Sequence, residues 1–233
     1  MALAFEDSAD VQRDDGRVWI PGRTFTMGSD RHYPEEAPAH PVKVDGFWIS
    51  DTPVTNRQFK AFVEATGHVI IAEKVPDPKD YPGAKPEMLR ARSLVFTRPK
   101  SIDGPGISQW WTFKLDATWR RPLGGISDLR GKLDTPLSTS HMQTRTLTRR
   151  GPGWLRTQAE WELATRVGSD AEYAWGDELT PGGIAMVNTC SGTFPTQSNK
   201  TKGQERTPPV RSYPPNGHGL YDMIGNVWEW TMD

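Results

Sequence analysis

Cysteine is almost absent from this chain: Cys190 is the single one among 233 residues, which excludes an intramolecular disulfide framework. Apolar residues are scarce, at 35%, and no run approaches the ~20 needed to span a membrane as a helix. A dominant charge is missing too. Lys and Arg number 28 against 29 Asp and Glu, a net charge of −1, so no field draws the chain to nucleic acid or an anionic membrane. The one basic run, around Arg145, Arg149 and Arg150, reads as a solvated loop. Met1-Ala2-Leu3-Ala4-Phe5-Glu6-Asp7 turns acidic at once, unlike a secretory signal. A cytoplasmic protein is expected, with neither nucleic acid nor membrane as partner.

What the chain has in excess is 22 Gly, 20 Pro and 10 Trp. Gly and Pro at this density break up long helices and regular sheets, while Trp and Phe supply large buried area per residue. Short strands, a few helices and much ordered coil are expected, mostly in one irregular domain. Residues 1–16 read as a loose arm and 17–233 as the domain.

Along that domain, Arg17-Val18-Trp19-Ile20 and Thr24-Phe25-Thr26-Met27 read as strands around a Pro21-Gly22 turn, and Pro41 to Ser50 as one alternating strand. Thr55 is placed to N-cap a helix carrying Phe59, Phe62 and Val63 on one face and ending at Gly67. A second short helix is expected over Gln158–Arg166. Residues 73–133 are Pro-rich and irregular, with Asp77 and Asp80 as turn formers. A loop so long implies a functional role. His40, His68 and His218 lack metal-ligand spacing and read as surface or turn residues.

Four blocks coincide with one family. They are Thr24-Phe25-Thr26-Met27-Gly28, Thr52-Pro53-Val54-Thr55-Asn56-Arg57-Gln58-Phe59, Ala159-Glu160-Trp161-Glu162-Leu163-Ala164-Thr165-Arg166, and Gly225-Asn226-Val227-Trp228-Glu229-Trp230. Together they resemble the formylglycine-generating enzyme (sulfatase-modifying factor) family. Glu73-Lys74-Val75-Pro76-Asp77-Pro78, Ser93-Leu94-Val95-Phe96, Trp110-Trp111 and Trp119-Arg120-Arg121-Pro122 extend the likeness to true members of it.

The resemblance implies an α+β fold, an irregular C-type-lectin-like variant with little regular secondary structure. It implies oxidation of a cysteine in a sulfatase Cys-x-Pro-x-Arg motif to formylglycine, using O2 and a copper(I) ion on two cysteine thiolates, soft ligands suited to that ion. By resemblance, Trp110, Trp111, Trp119 and Arg120 border the substrate-peptide groove, with plain core packing as the alternative for each Trp. A structural Ca2+ is implied at the terminal block. Its candidate ligands are the carbonyls of Ile224, Gly225 and Val227 and the carboxylate of Glu229, with Asn226 alongside, or else Glu229 only bonds the turn. A second calcium site would join Asn188 to the place of Lys202, whose cation opposes a metal, although carbonyls such as those of Thr189 and Gln204 could contribute.

Two departures qualify the implied activity. In the family the cysteine pair follows the terminal block, whereas Cys190 stands alone in Asn188-Thr189-Cys190-Ser191-Gly192; no catalytic residue is therefore named, and the chain is read as a C-terminally truncated member. Residues 137–153 lack the expected strand and helix. One codon choice for them, read two bases along, gives Val-His-Val-Ala-Tyr-Ala-Asp-Ala-Asp-Ala-Tyr-Ala-Ala-Trp-Ala-Gly, so the segment is read as frameshifted, with the frame recovered near Leu155. The alternatives to an oxidoreductase are a non-catalytic peptide- or protein-binding module and a pseudogene product.

Overall fold

The computed structural model describes residues 12–137, 155–201 and 205–233. They fall into two compact units, Met1–Pro53 with Arg145–Asn188 and Val210–Asp233, and Val54–Thr144 with Thr189–Pro209, each taken over its described residues. Apart from Leu137, the segment read as frameshifted lies outside the described residues, as do the basic run, Lys202 and Gln204.

In the first unit, β2 (Arg17–Ile20) pairs antiparallel with β5 (Phe47–Ser50), and β3 (Arg23–Met27) with β4 (His40–Val44). The expected reversal at Pro21-Gly22 does not occur. Ile20 faces Phe47 and Arg23 faces Val44, so one register runs through both ladders and the chain pair is a single long antiparallel ribbon. It is interrupted where Pro21, lacking an N–H, stands near Asp45-Gly46. The strand expected over 41–50 breaks at that same level. There the two backbones approach so closely that a Cβ on Gly22 would lie 2.6 Å from the Gly46 nitrogen. Within the residues read as a loose arm, β1 (Arg13–Asp14) adds to the far edge of β2.

Helix α2 (Gln158–Arg166) starts at a capping box: Thr157 Oγ1 accepts from the Glu160 N–H at 3.1 Å and Glu160 accepts from the Thr157 N–H at 2.8 Å. Leu163 and Ala164 from this helix join Val18, Ile20, Val44, Phe47, Ile49, Leu220 and Met223 in the core.

In the second unit, α1 (Asn56–Thr66) has the same device. Thr55 and Gln58 cap reciprocally at 3.2 and 2.9 Å, and Gly67 closes the helix at φ 66°. Its first turn is fastened to residues 132–137: the Asn56 N–H donates to Thr135, the Arg57 N–H to Leu133, and the Leu137 N–H to Val54. Within residues 73–133, where no regular element was expected, β6 (Arg92–Phe96) and β7 (Trp111–Leu115) form a hairpin. Asp77 caps a short turn, accepting from the Lys79 N–H at 2.9 Å. No helix among the described residues is long and apolar enough to cross a membrane.

Candidate functional site

The terminal block folds as a tight left-handed turn in the first unit. Gly225 and Asn226 have φ of 74° and 59°. A Cβ on Gly225 would collide with Val187 and lie 2.6 Å from the Asn188 carbonyl oxygen, so glycine is required by space as well as by φ. Asn226 is held on three sides. Its N–H donates to the Asn188 carbonyl at 2.9 Å, its Oδ1 accepts from Asn188 Nδ2 at 3.2 Å, and its Nδ2 donates to Asp222 Oδ1 at 3.0 Å. Asp222 in turn accepts from the Arg211 N–H at 3.0 Å. The role of Asp222 was missed in the sequence, where only its place four residues before Asn226 hints at it.

Glu229 is exposed, and its carboxylate has no hydrogen bond or ion pair among the described residues. Crowding by the surrounding chain pushes this carboxyl up to about 7, with the nearby Asp222 carboxylate as the second cause. The carbonyls of Ile224 and Val227 accept no hydrogen bond among the described residues, whereas that of Gly225 accepts from the Val227 N–H at 2.8 Å. The chain here offers an unpaired carboxylate at Glu229 and carbonyls without hydrogen bonds at Ile224 and Val227, oxygen donors of the kind a hard cation such as Ca2+ takes. Asn188 supports the turn directly. Among the described residues no group of three or more His, Cys, Asp or Glu could hold a metal, so a cation here would rest mainly on carbonyl oxygen.

Copper does not fit in the same way. Cys190 is exposed and unpaired, and one thiol cannot make a two-thiolate site.

The four groove candidates separate into two clusters within the second unit. Trp111 is 41% exposed on β7 and meets Phe96 at 6.0 Å, while Trp110 meets Phe194 edge-on at 5.7 Å. Trp119 is only 2% exposed and packs edge-on against Phe59 at 5.3 Å. It is a core residue, and its face is not offered to a peptide. Its indole N–H has no hydrogen-bond partner among the described residues. Arg120 stacks over Trp119 at 4.2 Å and donates to Glu73 at 2.6 Å, so it is held in place by its own unit.

A cavity of about 570 Å³ in the first unit was not foreseen. It opens between the loop after Gly28 and the end of α2, and two pairs of its lining side chains meet: Glu162 with Arg166 at 2.7 Å and His32 with Glu172 at 3.0 Å. Glu162 also accepts from the Gly28 N–H at 2.9 Å, tying α2 to the end of β3.

Comparison with known proteins places this architecture. The family model described as a sulfatase-modifying factor enzyme 1-like domain matches residues 4–233. The formylglycine-generating enzyme of Mycobacterium tuberculosis is 44% identical over 92% of this chain and 72% of its own length. That of Streptomyces coelicolor is 40% identical over 94% and 68%. The mouse protein named inactive C-alpha-formylglycine-generating enzyme 2 is 33% identical over 94% and 69%. With 44% identity sustained over nearly the whole chain, and with the irregular α+β fold these motifs imply, the chain belongs to the formylglycine-generating enzyme (sulfatase-modifying factor) family.

Proposed function

We propose that residues 1–233 form the scaffold and polypeptide-binding part of a formylglycine-generating-enzyme-type protein, acting on a sulfatase chain with a Cys-x-Pro-x-Arg motif. The observation that carries this is the exposed apolar hairpin bearing Trp111 and Phe113, at 41% and 59% exposure, in a chain of this family. Large aromatic side chains presented at a surface suit recognition of an extended peptide. The terminal turn is proposed to hold a structural Ca2+, which when bound supplies fixed positive charge beside Glu229 and the Ile224 and Val227 carbonyls.

These residues are further proposed to make no aldehyde by themselves, because they contain one cysteine and copper(I) in this chemistry needs two thiolates. Similarity to a mouse protein named as inactive favours a second reading, a binding module that never performs the oxidation. The test is to incubate the purified 233-residue chain with a Cys-x-Pro-x-Arg peptide, copper(I) and O2. The expected result is peptide binding by fluorescence anisotropy without aldehyde by mass spectrometry. Aldehyde in stoichiometric excess over the chain would refute the reading.

A further inference from the structure

The β6–β7 ladder sets Arg92 opposite Leu115, Leu94 opposite Phe113 and Phe96 opposite Trp111. Alternate residues of a strand share a face. Ser93 and Val95 turn inward, 3% and 4% exposed, which leaves Leu94, Trp111, Phe113 and Leu115 on the outer face, each 38% exposed or more. Phe194, itself 52% exposed, stacks on Phe96 at 5.9 Å and lengthens the strip. Single exposed apolar residues are ordinary on a protein surface, but a contiguous strip of them marks an interaction site.

The strip is basic at both ends. At one, the Arg92 guanidinium lies 4.8 Å from the centre of the Phe113 ring. At the other, Arg206 donates to the Phe96 carbonyl at 3.2 Å, and Arg98 pairs with Glu205 at 3.2 Å. Two guanidinium groups there share one carboxylate. Crowding holds Arg206 below its ordinary value; Glu205 opposes that, and repulsion from Arg98 adds to it. The Arg98 Nε–H is buried with no hydrogen-bond partner among the described residues. The Arg98 side chain as a whole is 30% exposed, so the excess positive charge there is open to a second anionic oxygen group from outside.

We propose that this strip docks an extended polypeptide whose apolar side chains lie on the Leu94–Phe113 and Phe96–Trp111 pairs and whose acidic side chain pairs with Arg98 and Arg206. The inference rests on the reading of the chain as a polypeptide binder, and it adds an acidic residue of the partner, outside the Cys-x-Pro-x-Arg motif, as a recognition element. Side chains on one face of an extended peptide recur about every 7 Å, the same spacing as the outward residues of a strand. A second copy of this chain is the poorer occupant. It would bring the same basic ends to the strip and add to the charge there.

Two labelled peptides test this against the whole, unaltered chain by fluorescence anisotropy. Both carry the Cys-x-Pro-x-Arg core and apolar flanks; one has Glu and the other Lys at the flanking polar positions. The Glu peptide is expected to bind roughly tenfold tighter at low salt, with the advantage shrinking at 0.5 M NaCl. The R98Q/R206Q chain is expected to lose the preference while still binding both peptides through the apolar strip. Equal binding of both by the unaltered chain sinks the acidic site and leaves the polypeptide reading standing, whereas binding of neither sinks both. Sedimentation showing a dimer that Phe113→Asp dissolves would assign the strip to a second copy and overturn the proposal.

Discussion

Glu229 and Asn226 divide the work of the terminal turn between them. Asn226 spends its side chain on the fold, bridging Asn188 and Asp222, and Gly225 supplies the close approach. Glu229 makes no such bond, so removing its charge leaves the turn's own hydrogen bonds in place. Calcium is therefore expected to raise the thermal midpoint of the chain, and Glu229→Gln to abolish most of that rise without lowering the midpoint in chelator, since the charge removed is one the folded chain disfavours. A ligand present at a hundred times its Kd adds about 2.7 kcal/mol, ample for scanning calorimetry to read. An equal calcium shift in the Gln variant would mean that the carboxylate is not a ligand.

At the scale of elements, the two helices depend on their caps. Thr55 is 7% exposed and receives the Gln58 N–H at 3.2 Å, and the helix it starts is fastened by its first turn to residues 132–137. Thr55→Ala is expected to cost roughly 0.5–2 kcal/mol, seen as a lower urea midpoint, and Thr55→Ser to recover most of it. Both helices were legible because a capping box and an apolar stripe are local signals. The ribbon was misread because its register is not local. Pro21-Gly22 looks like a reversal, and only the partner strand shows that it is an interruption opposite Asp45-Gly46. The β6–β7 hairpin was hidden by the connection of residues 97–110, too long and Pro-rich to announce a turn. Of the candidate site, the resemblance set Trp111 and Trp119 at one groove with core packing open for each, and motif spacing could not tell that Trp111 is exposed on β7 while Trp119 is sealed against Phe59.

For the molecule as a whole, acid stability should follow His218. Burial, and then the charge of Arg23, hold its imidazole below the ordinary histidine value. The unfolded chain, titrating near 6.5, therefore takes up this proton first as pH falls. By linkage, the stabilising contribution is present above that pH and is lost as pH drops through the lower folded value. Glu229 works the other way in this window, its raised carboxyl taking a proton first in the folded chain. The His218 part is therefore read as a difference: the urea midpoint of His218→Gln is expected to rise relative to that of the unaltered chain as pH drops from 7.5 to 5.5, and a constant difference would locate the sensitivity elsewhere. The same chain carries a built-in reporter. Cys190 is its single thiol, exposed and unpaired, and it belongs to the same compact unit as Phe194 and the apolar strip. One maleimide dye can be attached there in defined stoichiometry, with no cysteine to add or remove, to give an optical signal for whatever settles on the hairpin.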